Sequence, residues 1–129
     1  MISENKSGKK IDYSTYYEGL DKNYDELVRK TVDMIIAMGI MTDGQIRRLA
    51  QRAIVFDDKS TGHIIVGWTP TQLAYITTWF TGSYLNSLCA KKQIDCVNCA
   101  KEGSPLYYNL ITFRGFNQLY EKYLNKIHR

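Results

Sequence analysis

Thr69-Pro70-Thr71-Gln72-Leu73-Ala74-Tyr75-Ile76 is the stretch on which the reading of this chain turns. Threonine is a good N-cap, proline suits the first helical position, and glutamine three places after the cap can complete a capping box. Leu73, Ile76 and Phe80 supply an apolar face at helical spacing. A break at Thr81-Gly82-Ser83 separates this helix from a short second one that carries Leu85, Leu88, Cys89 and Lys92. Next come a strand from Ile94 to Asn98, a turn from Ala100 to Pro105 and a returning strand from Leu106 to Ile111. Thr112 can cap a last helix, in which Phe116, Leu119, Tyr120, Tyr123, Leu124 and Ile127 share a face.

Upstream, the spacing of Tyr24, Leu27, Thr31, Met34, Ile35 and Met38 predicts a helix from Asn23 to Met38. Asp25 and Glu26 favour its positive N-terminal end, and Gly39 suits its C-terminal stop. Thr42-Asp-Gly-Gln45 is a capping-box pattern that opens a second helix buried along Ile46, Leu49, Ala50 and Ala53. Ile54-Val-Phe56 and His63 to Trp68 read as short strands on either side of a turn-rich segment. Met1 to Lys10 is polar, and Tyr13-Ser-Thr-Tyr-Tyr17 is an aromatic cluster without clear periodicity. The expected plan is a flexible polar and aromatic N-terminal arm over 1–20 and a single domain over 21–129, of α+β class and mainly helical.

The chain has 129 residues, enough for one domain with a core of its own. Its most apolar run, Met34 to Met41, falls far short of the roughly 18–20 residues that span a bilayer. Met1 to Lys10 lacks the charged-then-apolar plan of a signal peptide, so a cytoplasmic protein without a membrane partner is expected. Charge is uneven: residues 1–84 hold ten basic and ten acidic side chains, whereas 85–129 hold seven basic and three acidic. The net charge of +4 thus sits in the C-terminal third, an asymmetry that points to a polyanion partner or else makes a solvated basic surface. Three cysteines without a secretion signal point to free thiols.

Two short helices joined by a tight turn suggest a helix-turn-helix, in which the first helix braces a second that enters the major groove. Such a reader needs apolar residues inward and small or polar ones outward, where base edges are distinguished by hydrogen bonding. Leu85, Leu88 and Cys89 satisfy the first need, and Ser83, Tyr84, Asn86 and Ser87 the second. Asn86 can pair with adenine, while Lys91, Lys92, Lys101 in the hairpin turn and Arg114 can hold backbone phosphates.

At these residues the chain resembles the winged-helix superfamily. Thr69-Pro-Thr-Gln-Leu-Ala-Tyr-Ile76 is similar to the opening of the bracing helix in Crp-like and MarR-like regulators. Tyr84-Leu-Asn-Ser-Leu-Cys-Ala-Lys-Lys-Gln-Ile94 resembles a reader helix leading into the first wing strand. Gly103-Ser-Pro-Leu-Tyr-Tyr-Asn-Leu-Ile-Thr-Phe-Arg-Gly115 resembles the end of a wing and the start of a closing helix. The family's turn glycine is replaced by Thr78-Trp-Phe80, with Gly82 arriving late, so a longer turn is expected. The resemblance implies a winged helix-turn-helix with an N-terminal helical extension. It also implies a homodimer that recognises specific double-stranded DNA and regulates transcription or replication. The small size and the richness in Tyr and Ile also suit an archaeal virus or plasmid protein, which would work in the host cytoplasm.

Other chemistries are less well served. Cys96-x-x-Cys99 with Cys89, and His63 or His128 as a fourth ligand, would give a zinc site, but a second matching pair is missing. Asp57 and Asp58 are adjacent and point apart, and no phosphate-cradling glycine loop or metal-hydrolase motif occurs. An enzyme, a cofactor and a small-molecule substrate are therefore not expected. The ten tyrosines keep one further reading open, a virion or nucleoid structural protein that packs subunits or coats DNA without reading bases.

Overall fold

The computed structural model describes residues 2–4, 10–12, 22–58, 62–100 and 107–128. Within the segment read as an arm, β1 (Ile2–Glu4) pairs antiparallel with β2 (Lys10–Asp12), and the Tyr13–Tyr17 cluster lies outside the described residues. Two helices follow, α1 (Lys22–Met38) and α2 (Asp43–Arg52). A hairpin of β3 (Ile54–Asp58) and β4 (His63–Trp68) leads into α3 (Pro70–Thr77) and α4 (Gly82–Ala90). The chain closes with a second hairpin, β5 (Cys96–Ala100) and β6 (Tyr107–Thr112), and with α5 (Phe113–Ile127). The class is α+β, and helix predominates over strand. No helix among the described residues is long and apolar enough to cross a membrane.

Local chemistry sets the starts of these elements. Four helices begin on a threonine hydroxyl that accepts a backbone N–H three residues on: Thr42 from Gln45, Thr69 from Gln72, Thr81 from Tyr84 and Thr112 from Gly115, each at 3.2 Å. At Thr42 the capping box closes, because the Gln45 side chain accepts from the Thr42 N–H at 3.0 Å. At Thr69 only the hydroxyl half of the box is made. Helix α1 stops at Gly39, whose φ of 68° lets its N–H reach the Ile36 carbonyl at 3.0 Å.

All four strands β3 to β6 run antiparallel in the order β3-β4-β6-β5. The sheet is two hairpins joined by a seam of two rungs, Gly67↔Thr112 and Trp68↔Ile111. Trp68, Leu73, Ile76, Leu85, Phe116 and Ile111 pack with Leu49 and Ile35 into the main core. Val28, Val32, Ile36, Ile46 and Ala50 form a second cluster between α1 and α2. The Trp68 indole N–H donates to the Leu49 carbonyl at 2.7 Å and so ties the sheet to α2.

Two differences from the sequence reading bear on the site. Strand β5 starts at Cys96 rather than Ile94, because Ile94 is buried in the core and Asp95 is held by α5 and Thr112, off the ladder. Helix α3 ends at Thr77, so Phe80 lies in the connection to α4 and not on the face of α3.

Candidate nucleic-acid interface

The connection between α3 and α4 is four residues long, Thr78 to Thr81, shorter than the missing glycine led us to expect. Thr78 takes the glycine's place, with a left-handed φ of 59°. Few β-branched residues adopt this region. Here the backbone is held on all sides. The Thr78 N–H reaches the Ala74 carbonyl at 3.0 Å, and the Thr77 hydroxyl donates to the Leu73 carbonyl at 2.8 Å while accepting from the Trp79 N–H at 3.4 Å. Gln45 of α2 adds a 3.0 Å bond from its amide to the Ile76 carbonyl.

Helix α4 buries Leu85, Leu88 and Cys89, as the spacing predicts, and exposes Ser83, Tyr84, Asn86 and Ala90. Ser87 is half-buried. The helix ends in a Schellman arrangement: Lys92 N–H to Cys89 carbonyl at 3.1 Å and Gln93 N–H to Leu88 carbonyl at 2.9 Å. Lys92 supplies the left-handed residue, with φ 54°, where glycine is the usual choice. Lys91 and Lys92 are both exposed at this end.

Asn86 does not stand free. Its side-chain oxygen accepts from the Asn109 amide of β6 at 3.3 Å, and the Asn109 oxygen accepts from the Asn98 amide of β5 at 3.3 Å. This relay of three amides runs from α4 across the second hairpin at the surface. Asn98 and Asn109 are opposite partners in the ladder and so share a face. Beside them a cleft of about 710 Å³ is bordered by Lys92 and by Arg114 from the first turn of α5. The fold thus gathers Asn86, Lys92 and Arg114, predicted from sequence, around Asn98 and Asn109, which were not. Period-two alternation marks these two asparagines as a cross-strand pair once the hairpin register is known. Tyr84 sits at the other end of α4, packed on Phe80 with ring centroids 5.0 Å apart. Lys101 lies outside the described residues.

The root of the second hairpin is fastened at Asp95. Its N–H donates to the Gln118 side chain at 2.5 Å, its carbonyl accepts from the Thr112 N–H and hydroxyl at 3.4 Å each, and its carboxylate takes a further bond from the Thr112 hydroxyl.

The cysteines do not assemble a metal site. Cys96 and Cys99 are three positions apart on one strand and so face opposite sides of the sheet. Among the described residues no group of three His, Cys, Asp or Glu side chains is gathered for an ion. Cys89 meets Cys96 instead, and the hydrogen bond between them, with burial, holds the Cys89 thiol protonated while favouring the Cys96 thiolate. Burial pushes the Cys99 thiol up to about 11. All three cysteines are free of disulfides.

Comparison of the chain with protein-family models, curated proteins and solved structures gives no match.

Proposed function

We propose that this chain is a winged-helix protein that binds double-stranded DNA sequence-specifically, as a homodimer, and regulates transcription or replication. The observation that carries the reading is the succession β4-α3-α4-β5-β6, with β4 and β5 on either side of β6. In that succession α3, itself packed on α2, would brace α4, and the β5–β6 hairpin would stand beside it as a wing. The polar face of α4 would enter the major groove, which admits one helix. Asn86 would present its amide to adenine with its orientation fixed by Asn109, while Lys91, Lys92 and Arg114 would bind phosphates. A two-fold dimer would place two such helices about one DNA turn apart on a palindromic site.

The test is selection from a library of random duplex DNA by purified protein at two salt concentrations. An enriched motif is expected. Recovery of DNA without any motif would refute base readout and favour the coat or nucleoid alternative. A companion prediction concerns Lys91→Ala combined with Lys92→Ala. It weakens binding to all duplexes and lowers the slope of log K against log salt by roughly 2, since each phosphate contact contributes about 0.9. An unchanged slope in a salt titration would remove these two lysines from the interface.

A further inference from the structure

Beyond the start of α4 lies a second recess, open and of about 970 Å³, bordered by α3, the connection Thr78 to Thr81 and the last turns of α5. Its floor is aromatic. Trp79 stacks on Tyr123 at 5.3 Å with a ring angle of 14° and tilts against Tyr120 at 5.4 Å. Phe80 meets Tyr123 edge-on at 6.4 Å, so both rings of the connection are fixed on α5. Two more rings at the border stand out into solvent: Tyr75 is 70% exposed and Tyr84 43%. Apolar rings left wet side by side mark a contact surface.

Cations are interleaved with these rings. The Lys126 ammonium lies over the Phe80 ring, 5.4 Å from its centre, and the Arg48 guanidinium of α2 lies over the Tyr75 ring at 5.8 Å. Lys122, one turn before Lys126 on α5, also borders the recess. Among the described residues no carboxylate does.

A polymer that repeats a flat ring and an anion matches this alternation. A duplex stacks its bases inside and offers a protein only their edges and the phosphates. Stacking on the exposed tyrosines therefore calls for unpaired bases, and tyrosine and arginine both serve as platforms for them. We infer that this recess binds single-stranded DNA, with bases stacked on Tyr75 and Tyr84 and phosphates held by Arg48, Lys122 and Lys126. The choice of DNA over RNA rests on the proposed function, since Thr81 and Tyr84 open the helix read as the duplex reader. The stacking site itself does not rest on it, because it uses a different strand state and different cations.

The test is fluorescence anisotropy of a labelled oligothymidylate of about twelve nucleotides, within the site sizes of single-strand binders, titrated with the full chain. The matching abasic oligomer keeps every phosphate and loses every base, and should bind at least about tenfold more weakly. Tyr75→Ala should weaken oligothymidylate binding about tenfold, as the loss of one stacked base requires, with an unchanged melting temperature to show that the fold persists. Lys122→Ala combined with Lys126→Ala should lower the slope of log K against log salt by roughly 1.4, about 0.7 for each phosphate contact with a single strand. The matching oligouridylate should bind no more tightly than the oligothymidylate. Duplex binding is measured on the same proteins, and either site can fail alone: Tyr75→Ala should leave it unchanged, and Lys91→Ala with Lys92→Ala should leave oligothymidylate binding unchanged. An abasic oligomer that binds as well as the oligothymidylate, a Tyr75→Ala variant of parental affinity, or tighter binding of the oligouridylate would overturn the proposal. So would dimerisation that Tyr75→Ala abolishes, with no binding of oligothymidylate, since a second copy of the chain would then cover the recess.

Discussion

Alanine at position 115 lowers the stability of this protein by about 3 kcal/mol, at the upper end of what overpacking costs. For a chain of this length the midpoint of thermal unfolding then falls by roughly 10 °C. Intrinsic propensity points the other way, because Gly→Ala inside a helix gains up to ~1 kcal/mol. Packing decides the sign. A Cβ at Gly115 would collide with the Asp95 carbonyl oxygen and lie 2.8 Å from Cγ2 of Ile111. Neither neighbour can yield: Ile111 is fully buried, and Asp95 is tied to Thr112 and Gln118. Gly44 in α2 is the matched control. There a Cβ would meet only the Thr42 hydroxyl at 4.0 Å, so Gly44→Ala should leave the melting temperature unchanged or raise it. Equal melting temperatures for the two variants would refute the argument. Asp95 also roots the second hairpin, so Gly115→Ala should weaken duplex binding at temperatures where the domain remains folded, if that hairpin is a wing.

Trp68→Ala carries the second large effect, about 4 kcal/mol from lost burial and an unfilled cavity. Trp68→Phe keeps most of the ring volume and separates the two causes. It should cost about 2 kcal/mol, because the Leu49 carbonyl loses the indole N–H in a buried setting. Leu49 lies in the last turn of α2, where carbonyls run out of helical partners, so the indole serves as a cap from another element. Urea unfolding followed by far-ultraviolet circular dichroism measures both variants. A phenylalanine variant as stable as the parent would show that the bond contributes nothing.

Much of the fold was legible because its signals are local. Thr42, Thr69 and Thr112 announced three helix starts, and the apolar spacing gave the buried face of α4 and most of that of α5, where Ile127 is exposed instead. What escaped depends on partners distant in sequence. Nothing near Asp95 says that Gln118 and Thr112 will hold it out of β5. The Thr78 turn was expected to be longer because glycine is the usual left-handed residue, yet bonds from Ala74 and Thr77 hold threonine there. For the candidate site, the face of α4 was readable, but the engagement of Asn86 by Asn109 was not. Nor was the aromatic cavity, since Trp79 and Tyr123 meet only after α5 packs back on the α3–α4 connection.

The two-rung seam between β4 and β6 bears on how the molecule assembles. Each hairpin and each threonine-capped helix closes over a short loop and can form early. Joining the hairpins requires Trp68 to find Ile111 across the whole α3–α4–β5 segment, a long closure rewarded by only two pairs of the ladder. The rate of folding should therefore be governed by that encounter, with the α3–α4 pair already in place when the sheet is completed.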